Sequence, residues 1–139
     1  MHVPGCPYCE KNEKLFSLAI EVAKLSTSTL YLMKEQSHPG RVMVAHDDHV
    51  SEVVDLDDAQ RAAYFDDIVR AARALHAAFK PGKVNYAAFG DTVRHMHYHL
   101  VPKYEGEFEW GETFVMNPQK TYLSEAEYQD MIEKIRKAL

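Results

Sequence analysis

Cysteine is scarce in this chain: two residues in 139, both in Cys6-Pro7-Tyr8-Cys9. Two are too few for a disulfide scaffold, and in a cytosolic chain that spacing reads as metal binding or redox chemistry. Long apolar runs are missing as well. No stretch holds 18 consecutive apolar residues, so no membrane-spanning helix is expected. Residues Met1 to Cys9 lack the charged start and apolar run of a signal peptide, which makes a cytoplasmic location the expectation. Positive charge is also in deficit. Sixteen Lys and Arg stand against 21 Asp and Glu, a formal charge of −5, which disfavours a nucleic-acid polymer as partner. One small anionic ligand held by a local cluster of donors remains compatible with that balance.

What is present is globular. At 46% apolar and 27% charged residues, with no repeat and no linker, the sequence reads as one domain over residues 1–139. Residues 10–25 fit a helix through Leu15, Leu18, Val22 and Leu25, while Leu18, Ile20 and Val22 alternate as in a strand. A Ser/Thr cluster at 26–28 favours a hairpin of roughly 18–24 with 29–34. His38-Pro39-Gly40 is a turn, and Arg41 to Ala45 alternates as a third strand.

Asp57 and Gln60 are spaced as a capping box, and Phe65, Ile68, Ala72, Leu75 and Phe79 recur at helical intervals until Lys80-Pro81-Gly82. Two strands follow, at about 83–89 and 94–102. A last helix opens at Ser124 and Glu127, with Leu123 and Tyr128 as a staple and Met131, Ile132 and Ile135 facing inward. This order predicts an α+β domain, a mostly antiparallel sheet with a long helix and a C-terminal helix.

Eight histidines are unevenly placed. In Arg94-His95-Met96-His97-Tyr98-His99-Leu100-Val101-Pro102, strand alternation puts His95, His97 and His99 on one face and Met96, Tyr98 and Leu100 on the other. Chance would produce about 0.03 such triplets in a chain of this composition, so the row signals chemistry. Two chemistries could use it. One is a catalytic zinc held by histidines with an open position for water; the other is a neutral imidazole acting as nucleophile while its neighbours hold the product charge. His38 and His46 fit either site residues or, as is commoner for turn histidines, solvated positions, and His2 and His76 read as surface. The acidic run Glu105, Glu107, Glu109 and Glu112 fits either a divalent-ion site or an exposed, alternating β-edge.

The run His95 to Val101 resembles the histidine triad family of nucleotide hydrolases and transferases, whose motif is His-φ-His-φ-His-φ-φ with φ apolar. The likeness extends over roughly residues 6–104. It implies that His97 attacks the α-phosphate of a nucleotide, that His99 donates to a phosphoryl oxygen, and that Asn85 and Thr92 contact phosphates and ribose. The implied substrates are dinucleoside polyphosphates or nucleoside phosphoramidates, with release of a nucleoside monophosphate. Family members are usually homodimers. A subset carries an N-terminal Cys-x-x-Cys, and similarity to it implies a structural zinc held by Cys6, Cys9, His49 and His95. Two departures stand out. Gly90-Asp91-Thr92 replaces the usual Gly-Gln-Ser/Thr, and Ala45-His46-Asp47-Asp48 replaces Pro-Lys before the upstream histidine. Trp110 reads as a packing or dimer anchor.

Three readings stay open on the residues alone. They are a nucleotide-cleaving enzyme, a regulatory module that binds nucleotides with incidental turnover, and a zinc hydrolase using all three histidines. Cys-Pro-Tyr-Cys also matches the glutaredoxin motif, but only five residues precede Cys6, too few for the strand a redox motif follows.

Overall fold

A computed structural model describes residues 1–139. Its elements are α1 (Pro7–Glu10), α2 (Glu13–Leu18), β1 (Ala19–Lys24), β2 (Ser28–Met33), β3 (Val42–His46), α3 (Asp58–Phe79), β4 (Lys83–Ala87), β5 (His97–Lys103) and α4 (Glu125–Ala138). The five strands form one antiparallel sheet in the order β1-β2-β3-β5-β4. This is the α+β architecture expected from the sequence. The ambiguity over residues 10–25 resolves into succession, since α2 ends at Leu18 and β1 begins at Ala19. Asn12 caps α2 by accepting from the Lys14 and Leu15 amides.

One face of the sheet buries Leu30, Leu32, Val42, Val44 and Leu100 under Ile68, Leu75, Ile132 and Ile135 of the two long helices. Both capping boxes form, at Asp57 with Gln60 and at Ser124 with Glu127, and Lys80 closes α3 in the left-handed conformation. Asp67 on α3 accepts five hydrogen bonds from Ser26, Thr27 and Ser28, fixing the β1–β2 turn to the helix. Burial pushes that carboxyl up, but the serine and threonine donors outweigh it and hold Asp67 below its usual range.

The opposite face carries Tyr31, Met33, Met43 and Ala45, packed with Leu15 and Ala19. Cross-strand pairing sets His99 against Met43 and His97 against Ala45, so both histidines stand on this second face. The strand begins later than the sequence suggests. His95 and Met96 precede β5, and His95 reaches the site from a bend in the chain. The acidic run also differs, because residues 105–112 make turns and not a strand edge. His38 and His46 are buried, in place of the solvated positions expected. His38 meets Glu109 at 2.7 Å and stacks on Phe108, and His46 lies edge-on to Tyr64.

Candidate active site and metal centre

Three histidines divide the work by their hydrogen bonds. The His97 Nδ1–H donates to the His95 carbonyl at 2.6 Å, which leaves Nε2 with its lone pair free. Tyr8 stacks on the ring with centroids 4.9 Å apart and fixes its plane. Burial lowers the His97 pKa against the opposing pull of that carbonyl, so the ring is neutral. Next on the strand, His99 receives the Arg41 Nη2–H at Nδ1, 3.3 Å away. Burial, then His97, then Arg41 push its pKa down to about 3. A neutral His99 whose Nδ1 accepts must carry its proton on Nε2.

A cavity of about 460 Å³ opens over these rings. Gly90, Asp91 and Thr92 line one side, Leu15, Leu18, Met33 and Met43 supply an apolar wall, and Met116, Asn117 and Tyr122 arrive from the C-terminal stretch. Of the anticipated phosphate contacts, Thr92 lines this cavity. Asn85 does not line it; it lies on β4 opposite Val101. Tyr8 and Arg41 escaped the sequence reading. Each left a faint trace, Tyr8 as the aromatic inside Cys-x-x-Cys and Arg41 as a lone charge opening an apolar strand.

His95 faces the other way. Its Nε2–H donates to the His46 carbonyl at 2.6 Å, so Nδ1 carries a lone pair. That Nδ1 is 3.3 Å from Cys6 Sγ, 3.6 Å from Cys9 Sγ and 3.3 Å from His49 Nδ1, while Cys9 Sγ is 3.5 Å from His49 Nδ1. Zinc bond lengths of about 2.3 Å to sulfur and 2.0 Å to nitrogen give tetrahedral edges of about 3.3–3.8 Å. The four ligand atoms lie within 4.8 Å of one another and can hold a metal ion. Cys6 caps the short α1 and Cys9 lies within it, so one turn of helix presents both sulfurs. The run from Glu105 to Glu112 forms no such cluster; Glu109 is spent on His38 and the Val115 amide.

The HIT domain family model matches residues 18–106, a span that includes all three histidines and His49. The chain belongs to the HIT family. Among solved structures, a histidine triad protein from Bradyrhizobium japonicum superimposes with a TM-score of 0.83 at 26% identity, covering 91% of this chain and 95% of that one. A hypothetical histidine triad nucleotide-binding protein from Sulfolobus tokodaii matches at 18% identity and TM-score 0.72, over 96% and 91% of the two chains. A Zn-bound histidine triad family protein from Mycobacterium smegmatis matches at 21% identity and TM-score 0.63, over 86% and 83%. No curated protein matches this sequence. Neighbours at such identities share the fold, and the HIT assignment rests on the family match.

Proposed function

We propose that this HIT protein cleaves nucleotides at the α-phosphate through a covalent intermediate on His97. The observation that carries this reading is the 2.6 Å bond from the His97 Nδ1–H to the His95 carbonyl, which leaves Nε2 as a neutral nucleophile at the cavity. Nε2 attacks the α-phosphorus and a P–O or P–N bond breaks. The leaving group departs with its electron pair and takes up a proton from solvent, to which the water of the second step returns one. His99 Nε2–H donates to a phosphoryl oxygen and stabilises the charge that develops there. Thr92 lies within the same cavity as a further donor. Water then attacks the phosphorus, freeing His97 and a nucleoside monophosphate. The substrates are dinucleoside polyphosphates or nucleoside phosphoramidates, and the apolar wall of Leu15, Leu18, Met33 and Met43 suits a nucleobase.

Cys6, Cys9, His49 and His95 fit zinc, since a thiolate pair with two imidazoles selects it over magnesium or calcium. The ion would add folding energy and tie the N-terminal loop beneath the site. His95 serves this cluster and its carbonyl orients His97, so structural and chemical roles meet in one residue. A zinc hydrolase using all three histidines is disfavoured because only His95 of the three joins the cysteine cluster, while His97 and His99 line the cavity.

The test is turnover of a fluorogenic adenosine phosphoramidate, with acid-quenched protein searched for a nucleotidyl group on His97. His97→Ala is expected to lose at least about a thousandfold in rate, roughly 4 kcal/mol of barrier, while still folding and binding nucleotide. More than a few per cent of wild-type rate in that variant defeats the nucleophile assignment. A wild-type chain that binds nucleotide without turnover favours the regulatory reading.

A further inference from the structure

Arg41 is only 1% exposed, and the carboxylates that favour its charge, Glu35 and Glu109, act from beyond ion-pair distance and do not offset its burial. No carboxylate forms an ion pair with it. Its Nε and Nη1 have no hydrogen-bond partner at all. The plane sits 5.0 Å from the centre of the Phe114 ring, and Nη2 approaches Met116 Sδ at 3.4 Å. Its one nitrogen acceptor is His99 Nδ1, at 3.3 Å. A buried cation without a paired anion costs several kcal/mol, and a methionine or leucine would fill this space at lower cost. Packing therefore gives no reason for an arginine here.

We propose that Arg41 is a positioning residue for the nucleotide-cleaving site, holding His99 in the tautomer that offers Nε2–H to the cavity. The proposal rests on the reading of His97 and His99 given above. A guanidinium can donate but never accept, so beside it His99 Nδ1 can only be a lone pair, and the ring proton is confined to Nε2. The same fixed charge polarises the imidazole and makes Nε2–H a stronger donor as negative charge grows on the phosphoryl group. It also opposes a second proton on the ring. Arg41 does not line the cavity, so it acts through His99 and does not touch the phosphate itself.

The backbone around Arg41 is built to hold it. Gly40 precedes it at φ +93°, and a Cβ there would lie 2.6 Å from Phe79, so the turn presses the strand start into the core. Gln36 ties the same turn, accepting from the Gly40 amide and donating to the Arg41 carbonyl.

Histidine side-chain 15N NMR on the wild-type protein as purified, at pH 7, reads the tautomer without any substitution. The expected result is a His99 ring with unprotonated Nδ1 and protonated Nε2; the reverse tautomer, or a doubly protonated ring, overturns the proposal. In Arg41→Met the ring is expected to become a tautomer mixture, with kcat on an adenosine phosphoramidate falling about tenfold to a hundredfold and KM moving less than threefold. Arg41→Lys should restore part of kcat and of the tautomer bias, because an ammonium also donates and cannot accept. A folded Arg41→Met protein with wild-type kcat and an unchanged His99 spectrum makes Arg41 a packing residue and defeats the idea. If Arg41→Met does not fold, the wild-type tautomer and the lysine variant decide. Absence of turnover in wild type would defeat the nucleotide reading alone, since the ring spectrum reports the Arg41–His99 pair without a reaction.

Discussion

Hydrogen-bond direction at single residues assigns more of this site than composition does. His95, His97 and His99 are chemically identical side chains, yet each has one nitrogen fixed by a different partner: the His46 carbonyl, the His95 carbonyl and the Arg41 guanidinium. The free nitrogens are consequently a lone pair beside the cysteines on His95, a lone pair on His97 and an N–H donor on His99, the set that the proposed roles require. A second buried polar residue makes a separate prediction. Glu35 accepts from the amides of Ser37, Lys120 and Thr121 and from the Ser37 hydroxyl, clamping the C-terminal stretch beside the cavity. Burial drives its carboxyl upward, but those donors outweigh burial and hold its pKa below the ordinary value. With a depressed folded pKa, this stabilisation is complete above the unfolded carboxylate value near ~4.3 and fades as pH falls through the folded one. Glu35→Gln should cost about 2–3 kcal/mol at pH 7 and little at low pH. Denaturant melts from pH 7 to 3 check it, and a pH-independent difference would discard the clamp.

At the scale of elements, spacing made local patterns readable, while of the long-range ones only the Cys6, Cys9, His49 and His95 cluster was anticipated, through family resemblance. The capping boxes and the Lys80 stop are encoded within a few residues and form as expected, and of the apolar spacing of α3 Ile68, Ala72 and Leu75 are buried while Phe65 stays exposed. The positions of His97 and His99 were readable for the same reason, because strand alternation is local. The burial of His38 was not, since its partner Glu109 lies 71 residues away and no spacing rule links them. Lys103 is another such case: it is buried while its ammonium donates to the Glu109 and Glu112 carbonyls, folding residues 105–112 into turns. Trp110, read as a packing or dimer anchor, is 39% exposed and lies against Gly82, 3.1 Å from where a Cβ would stand.

The N-terminal Cys-x-x-Cys turn is the element whose stability should depend most on an added ion. It is four helical residues, Pro7–Glu10, too short to persist without tertiary support. Metal analysis of purified protein should find about one zinc per chain. Chelation should lower Tm before it lowers turnover measured at low temperature; metal a thousandfold above its Kd contributes about 4 kcal/mol to the native state. Cys9→Ser should lose the zinc and melt earlier, yet still form the His97 intermediate when cold. Immediate loss of activity on chelation with the fold intact would restore a catalytic role for the ion.

The whole molecule leaves its two sheet edges in unequal states. The outer edge of β1 is covered, with α4 against it and Arg136 Nε donating to the Val22 carbonyl. The outer edge of β4 pairs with nothing, since β4 bonds only to β5. An open edge of unpaired N–H and C=O groups is a template for another strand, and proteins usually protect it with charge, proline or a covering segment. Here Tyr86 on β4 is 51% exposed, and Phe65 and Val69 break the polar surface of α3. Val84 on β4 is buried in the core, but no other strand of the chain pairs with the outer edge. A second copy related by a two-fold axis would satisfy both edges at once, because antiparallel pairing of β4 with β4 is self-complementary. Light scattering on purified protein should therefore give the mass of a dimer at micromolar concentration. Tyr86→Lys, which places charge on the edge without touching the cavity, should shift the equilibrium toward monomer while leaving helix content unchanged. A wild-type monomer at that concentration would show that the edge is protected in solution by something other than a second copy, and would move the exposed apolar side chains of α3 back to ordinary surface.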